Sequence, residues 1–195
     1  MKTDIRMHLR ACTDDNHIKQ FLEDAQTAFL GLVDEHIPYV IPFNYVFKDG
    51  YFYFHGANEG RKINIIQTNP HACITICETF GTMVDPIPAE TDTAYMSVMA
   101  NGQVEIVTDL NEATAAMQAM LDKYVPSYYH TRLSKTHIEK YQSSLGSKTL
   151  VLKVKPITIT AKENKLNEQM QFYPGRIVKQ DMSQKSSPTA IHSSN

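Results

Sequence analysis

The chain has no tryptophan, only three cysteines, and a net charge of −2 that leaves neither sign in excess. Most of these shortages exclude something, although the missing tryptophan has no clear meaning. Cys12, Cys73 and Cys77 are odd in number and fit no disulfide framework, so a reducing compartment is expected. Interspersed charges of both signs argue against a general nucleic-acid or anionic-membrane binder, which would show a basic excess. No stretch approaches the ~18 apolar residues that a membrane helix needs. The opening MKTDIRMHLRACTDDN has basic residues but no apolar run behind them, so no secretory signal is read and a cytoplasmic location is expected. No serine sits in a G-x-S-x-G elbow, and no cysteine or histidine set has metal-ligand spacing. No metal is therefore expected, and an enzyme built this way would borrow its reactive group.

The 195 residues suit one domain with appendages. Thr13 reads as the N-cap of a helix over about Asp14–Gln26, with Ile18, Phe21, Leu22 and Ala25 on one face. Strands then dominate, at about Ala28–Val33, Ile37–Phe47 and Tyr51–His55. A helix after Asn58 runs to Asn69, where Pro70 stops it. A strand over His71–Thr79 leads into the proline-containing loop Phe80–Asp92, long enough to suggest a lid or interface segment. Thr93–Val107 reads as a strand bent or bulged at Gly102. Asp109 or Asn111 caps a helix to about Tyr124, a shorter helix covers Lys135–Tyr141, and a last strand covers Lys148–Thr160. The Ser-rich stretch from Gln180 predicts disorder. Many strands with few helices between them predict a mainly β fold, an antiparallel barrel with peripheral helices.

Asp49-Gly50 is the strongest local signal, predicting a two-residue type I′ hairpin turn. That turn pairs Lys48 with Tyr51, Val46 with Tyr53, and Asn44 with His55 on one side of the ribbon. The other side pairs Phe47 with Phe52, Tyr45 with Phe54, and Phe43 with Gly56, an almost wholly aromatic core face. A three-residue turn would separate the two faces less cleanly.

The next helix begins at Gly60-Arg61-Lys62, and the helix dipole disfavours two cations there. An anion held by those side chains and the free N–H groups would remove the conflict, so a phosphate-bearing ligand is expected. A merely solvated first turn, with Glu59 answering the dipole, stays open beside that reading. The spacing is not that of a P-loop. His55 reads either as an ordinary strand histidine or, beside Asn44 and the cationic turn, as a functional one. Cys73 and Cys77 share a strand face and read as small apolar residues. Tyr124, Tyr128 and Tyr129 around Pro126 read equally as pocket lining, an interface or packing at a helix end.

Several of these pieces together resemble the FMN-binding split-barrel superfamily, the group containing pyridoxamine 5′-phosphate oxidase, and within it the nitroimidazole-resistance branch. They are Gly31-Leu32-Val33, the run Pro38 to Tyr45, Asp49-Gly50 with Tyr53-Phe54-His55, and Gly60-Arg61-Lys62. Asn69-Pro70, Tyr95-Met96-Ser97-Val98 before Gly102, and Thr160-Ala161-Lys162 complete the match, which spans about residues 15 to 162. The resemblance implies a split barrel over residues 1–162 and a C-terminal extension over 163–195. It implies a homodimer with FMN at the interface. Arg61 and Lys62 would hold the phosphate, with Ser97 a weaker candidate. Pro42, Phe43 and Asn44 would border the isoalloxazine, and His55 would lie near the reactive side as the candidate catalytic residue. The expected activity is FMN-dependent reduction of a nitro-aromatic or similar small acceptor, with NADH or NADPH as candidate donor. The rival readings are a flavin-binding or sensing module without turnover and a haem-binding split barrel. The chain departs from true pyridoxamine phosphate oxidases in lacking their Arg-rich C-terminus and in continuing through Phe172-Tyr173-Pro174-Gly175-Arg176.

Overall fold

The computed structural model describes residues 5–142 and 146–185. In chain order the elements are β1 (Ala11–Cys12), α1 (Asp15–Asp24), β2 (Thr27–Asp34), β3 (Ile37–Lys48), β4 (Tyr51–Ala57), α2 (Arg61–Thr68) and β5 (His71–Met83). There follow β6 (Asp92–Ile106), α3 (Leu110–Tyr124), α4 (Lys135–Lys140), β7 (Thr149–Asn164) and α5 (Val178–Lys185). The seven strands form one sheet in the order β1-β7-β4-β3-β2-β5-β6, and β6 also pairs with β7. That extra pairing closes the sheet into a barrel and removes the edges an open sheet would leave. The mainly antiparallel barrel with peripheral helices is thus the observed architecture.

By internal packing the chain divides into two compact units. The first contains the residues up to Cys77 together with Ser97–Lys162, and the second contains Glu78–Met96 with the residues from Glu163 onward.

In the first unit, the helix cap falls one residue later than expected. Asp14, not Thr13, is the N-cap, its carboxylate accepting from the N–H groups of Asn16 and His17 at 3.0 and 3.1 Å. A charged acceptor serving two free donors at the positive helix end outcompetes a hydroxyl. The hairpin register is as expected: Lys48 faces Tyr51, Val46 faces Tyr53, Phe47 faces Phe52 and Tyr45 faces Phe54. Asp49 and Gly50 both adopt positive φ, 52° and 81°, as a type I′ turn requires. Tyr45, Phe52 and Phe54 are fully buried with Leu30, Ile74, Ile76, Val98 and Leu152 in the barrel interior. Gly102 marks a close approach of β6 to β7: a Cβ there would stand 2.4 Å from the Lys155 carbonyl oxygen.

The outer side of the hairpin is also covered. Val46 and Tyr53 pack with Val107, Ala113, Ala116, Met120 and Val151 in a second cluster beneath α3. The Tyr53 hydroxyl donates to Glu112 on that helix at 3.0 Å, and Lys153 reaches the same carboxylate at 3.1 and 3.2 Å. Burial and the adjoining carboxylate push the Tyr53 phenol well above its ordinary pKa.

At the end of α3 two side chains serve backbone atoms left over from the sheet. The β2–β3 ladder ends at Thr27 and Asn44, so the next residue, Tyr45, has no β2 partner. The Tyr124 hydroxyl accepts from the Tyr45 N–H at 2.8 Å and donates to the Gln26 carbonyl at 2.6 Å. Packing and satisfaction of the backbone are therefore what Tyr124 does here, whereas Tyr128 and Tyr129 stack edge to face and stay exposed. Lys123 donates to the Ala25 carbonyl at 2.7 Å and lies 3.9 Å from the Tyr45 ring centroid.

Burial holds the Lys123 ammonium down to about 8, against the pull of Asp24 and Glu23. The folded pKa lies below the unfolded one, so the unfolded chain binds the extra proton between about 8 and 10.5. Stability should therefore rise with pH across that window, by on the order of 1–3 kcal/mol. Urea unfolding at several pH values should show this gain in the parent protein and a smaller one in Lys123→Met. Equal slopes in the two would exclude Lys123 as its source.

The second unit is built around the tip of the β5–β6 hairpin. β5 continues to Met83, through residues expected to be loop, because the C-terminal extension pairs with it there. The Phe172 N–H donates to the Thr82 carbonyl at 2.7 Å, and the Val84 N–H to the Met170 carbonyl at 2.8 Å. Asn164 donates to the Thr93 carbonyl at 2.6 Å. Arg176 forks onto Asp181 with bonds of 2.9–3.1 Å, tying the start of α5 to the preceding turn. That helix covers 180–185, the start of the stretch expected to be disordered; the rest, from 186, lies outside the described residues.

Candidate functional site

The expected anion site is assembled where β4 hands over to α2. Gly60 is the N-cap of α2 at φ +93° and offers no side-chain cap. Its carbonyl accepts from Ile63 and Asn64, at 3.0 and 3.3 Å. The N–H groups of Arg61 and Lys62 thus have no protein partner among the described residues. Two orphan donors at a helix start are what an oxyanion needs.

The two cations are held differently. Arg61 is not free, as its place beside an uncapped helix start had suggested. Its Nε donates to Asp34 Oδ2 at 2.9 Å, and its guanidinium lies 4.6 Å from the Tyr39 ring centroid. These contacts anchor the side chain to the β2–β3 end of the barrel and leave both Nη atoms available. Lys62 is half-buried and runs back across β4: a Cβ on Gly56 would lie 3.1 Å from Lys62 Cε. Glycine at position 56 is what leaves that path open. The Lys62 ammonium has one long contact, 3.4 Å to the Glu59 carbonyl, and burial lowers its pKa although Glu59 pulls the other way. Glu59 itself accepts from Ser147 at 2.7 Å. A half-buried cation short of acceptors beside two orphan N–H groups fits a phosphate ester, and the residues present therefore fit the phosphate end of FMN.

The flanking candidates fall on β3. Pro42 and Asn44 are exposed, whereas Phe43 is half-buried with its ring 5.5 Å from that of Phe54. Ser97 is half-buried on β6 and makes no hydrogen bond to Arg61 or Lys62.

His55 departs from the expected grouping. Its ribbon side was read as a polar face shared with Asn44 and the cationic turn, but in the structure α3 covers it. His55 Nδ1 lies 3.3 Å from Met120 Sδ, and burial lowers the imidazole pKa, so the ring is neutral at pH 7. Successive strand residues face opposite ways, so Gly56 meets Lys62 while His55 meets α3. The cysteines also differ from expectation. Ala72, Ile74 and Ile76 take the core side of β5, which leaves Cys73 half-buried and Cys77 exposed on the other.

That outer side continues across β2 and β3 as an apolar patch. Phe29 pairs with Pro42, Gly31 with Val40, and Val33 with Pro38. Phe29, Val33 and Val40 are 43, 41 and 59% exposed, which is unusual for neighbouring apolar side chains on one sheet face.

The class so defined is a closed antiparallel barrel beside an uncapped cationic helix start, a place whose chemistry suits an anionic ligand. Comparison with known proteins gives that class its family. The sequence model of the pyridoxamine 5′-phosphate oxidase family matches residues 14–163, and the chain belongs to that family. Among solved structures it is similar to a candidate 5-nitroimidazole antibiotic resistance protein from Bacteroides thetaiotaomicron VPI-5482, at 25% identity and TM-score 0.63, over 78% of this chain and 85% of that one. It is also similar in fold to the flavocytochrome Anf3 of Azotobacter vinelandii, at 19% identity and TM-score 0.69, over 85% and 76% of the two chains. A FAD- and haem-binding protein from Mycobacterium smegmatis aligns at 16% identity and TM-score 0.66, over 90% and 80%. No curated protein matches the chain. The chain thus has the fold of flavin-binding proteins, and none of its helices is long and apolar enough to cross a membrane among the described residues.

Proposed function

We propose that the chain is an FMN-dependent oxidoreductase, a homodimer that reduces a nitro-aromatic compound or similar small acceptor by two electrons. The observation that carries the cofactor assignment is the cradle of Lys62, the Arg61 guanidinium and the two unpaired N–H groups behind Gly60. Family membership and the likeness to a 5-nitroimidazole resistance protein support the choice of acceptor.

Bound FMN would supply reversible two-electron transfer between a donor and an acceptor. The chain's own residues bind and orient it. Lys62 and Arg61 neutralise the phosphate, Asp34 and Tyr39 fix the direction of the guanidinium, and Pro42, Phe43 and Asn44 offer an edge for the ring system. The apolar patch of Phe29, Val33 and Val40 is the surface for the second copy.

The purified protein should be yellow, with flavin absorbance and no Soret band. Under anaerobic conditions NADH or NADPH should bleach it, and a 5-nitroimidazole should restore the colour. A Soret band would assign haem instead. Bleaching with no reoxidation by nitro compounds would leave a flavoprotein with a different acceptor.

His55 is given a positioning role, seating β4 on α3 so that Gly56 lies under Lys62. His55→Ala should keep turnover per bound flavin within about twofold and lose roughly 1 kcal/mol of stability with the Met120 contact. A fall of about a hundredfold or more at full flavin content would return the proton-donor role to this residue.

A further inference from the structure

A second cavity lies outside the region assigned to FMN, between α3, the segment after Pro126, and α4. Its volume is about 830 Å³, within the range of small-molecule sites, and neither Arg61 nor Lys62 lines it. Its walls are Met117, Leu121, Leu133 and Ile138, and its basic lining groups are Arg132, His137 and Lys140. No carboxylate lines it among the described residues.

Specific bonds shape it. The Leu133 N–H donates to the Gln118 side chain at 2.8 Å, and Gln118, itself buried, donates to Asp122 at 2.8 Å. This pair of bonds pins the wall segment to α3. Ser134 and His137 form a reciprocal cap at the start of α4, with Ser134 Oγ 2.9 Å from His137 Nδ1. His137 Nε2 is left as the ring's remaining hydrogen-bonding atom. Arg132 has no partner among the described residues.

We propose that this cavity binds a small amphipathic anion, an apolar body carrying one carboxylate or sulfonate, with Arg132 as its charge partner. The apolar walls would take the body, and a lining with three basic groups and no acidic one selects the sign of the head. Planar guanidinium geometry suits a two-oxygen head group better than a point cation would.

The test uses the flavin-loaded protein and 1-anilinonaphthalene-8-sulfonate as the probe, followed by equilibrium dialysis. One saturable site per chain is expected, with flavin retained. Arg132→Gln should weaken binding by roughly tenfold or more. Leu121→Trp, which fills the cavity, should abolish it. Both variants should keep their flavin, because neither residue touches the proposed phosphate cradle. Unsaturable binding, displacement of flavin by the probe, or affinity unchanged in both variants would overturn the site. Loss in Leu121→Trp with no effect of Arg132→Gln would overturn the anion assignment.

Discussion

Replacing Arg61 and Lys62 together with alanine is expected to give a folded protein that emerges from purification without its flavin. Each cation would contribute a charge-assisted bond to the phosphate, worth roughly 1.5–3 kcal/mol. Losing both should weaken FMN binding by about two to four orders of magnitude. The fold should tolerate the change, because Arg61 is exposed and its pair with Asp34 is a surface one of the sort that contributes ~1 kcal/mol or less. Lys62 costs energy in the empty state, since burial lowers its pKa and it has only one long backbone contact. Removing it should therefore leave thermal stability unchanged or slightly raised in the flavin-free protein. The measurement is flavin content by absorbance, with circular dichroism to verify folding. A folded double variant that keeps a full complement of FMN would remove the phosphate role from both residues. The Lys62→Ala single variant should account for most of the loss, because Arg61 is already shared with Asp34 and Tyr39.

Val40→Asp is expected to convert the proposed homodimer into a monomer and to lower flavin retention with it. Val40 is 59% exposed, so the substitution leaves the barrel core untouched. It lies at the centre of the outer patch, paired with Gly31 and near Phe29 and Val33. In a two-fold interface the same residue enters twice, so two unpaired carboxylates would be buried for each dimer formed. Burying an uncompensated charge costs several kcal/mol, which should raise the dimer dissociation constant by on the order of a hundredfold or more. Sedimentation velocity of the parent and the variant at one concentration decides it. Identical sedimentation coefficients would mean that this patch is not the contact between copies. A monomer that still binds FMN fully would separate dimerisation from cofactor retention.

The hairpin was legible before any tertiary structure, and for a local reason. Asp49-Gly50 can accept positive φ at both positions, and a two-residue turn leaves one register open to the flanking strands. The start of α2 was legible in the same way, from a glycine followed by two cations and a proline closing the far end. The fate of each ribbon face was not. Alternation along Asn44–Lys48 and Tyr51–His55 separates two sets of side chains, but it does not say what covers either set. The side carrying Val46, Tyr53 and His55 lies under α3, whose Met120 stands 65 residues beyond His55 in sequence. Arg61 likewise found Asp34, 27 residues earlier, and Tyr45 found Tyr124, 79 residues later. Propensity and periodicity carry no information about such partners. β5 ran past its expected end for the same reason, because its last residues pair with a segment that follows β7.

By itself, then, the sequence determined the mainly antiparallel barrel, the hairpin register, and the presence of an uncapped cationic helix start, all set by turn chemistry, alternation and caps within a few residues. Tertiary structure alone decided which neighbours those residues meet. It turned His55 toward α3, paired Arg61 with Asp34, laid Lys62 across Gly56, and left Phe29, Val33 and Val40 uncovered. Burial and pairing of this kind depend on which distant segments pack together, a property of the closed barrel rather than of any local stretch.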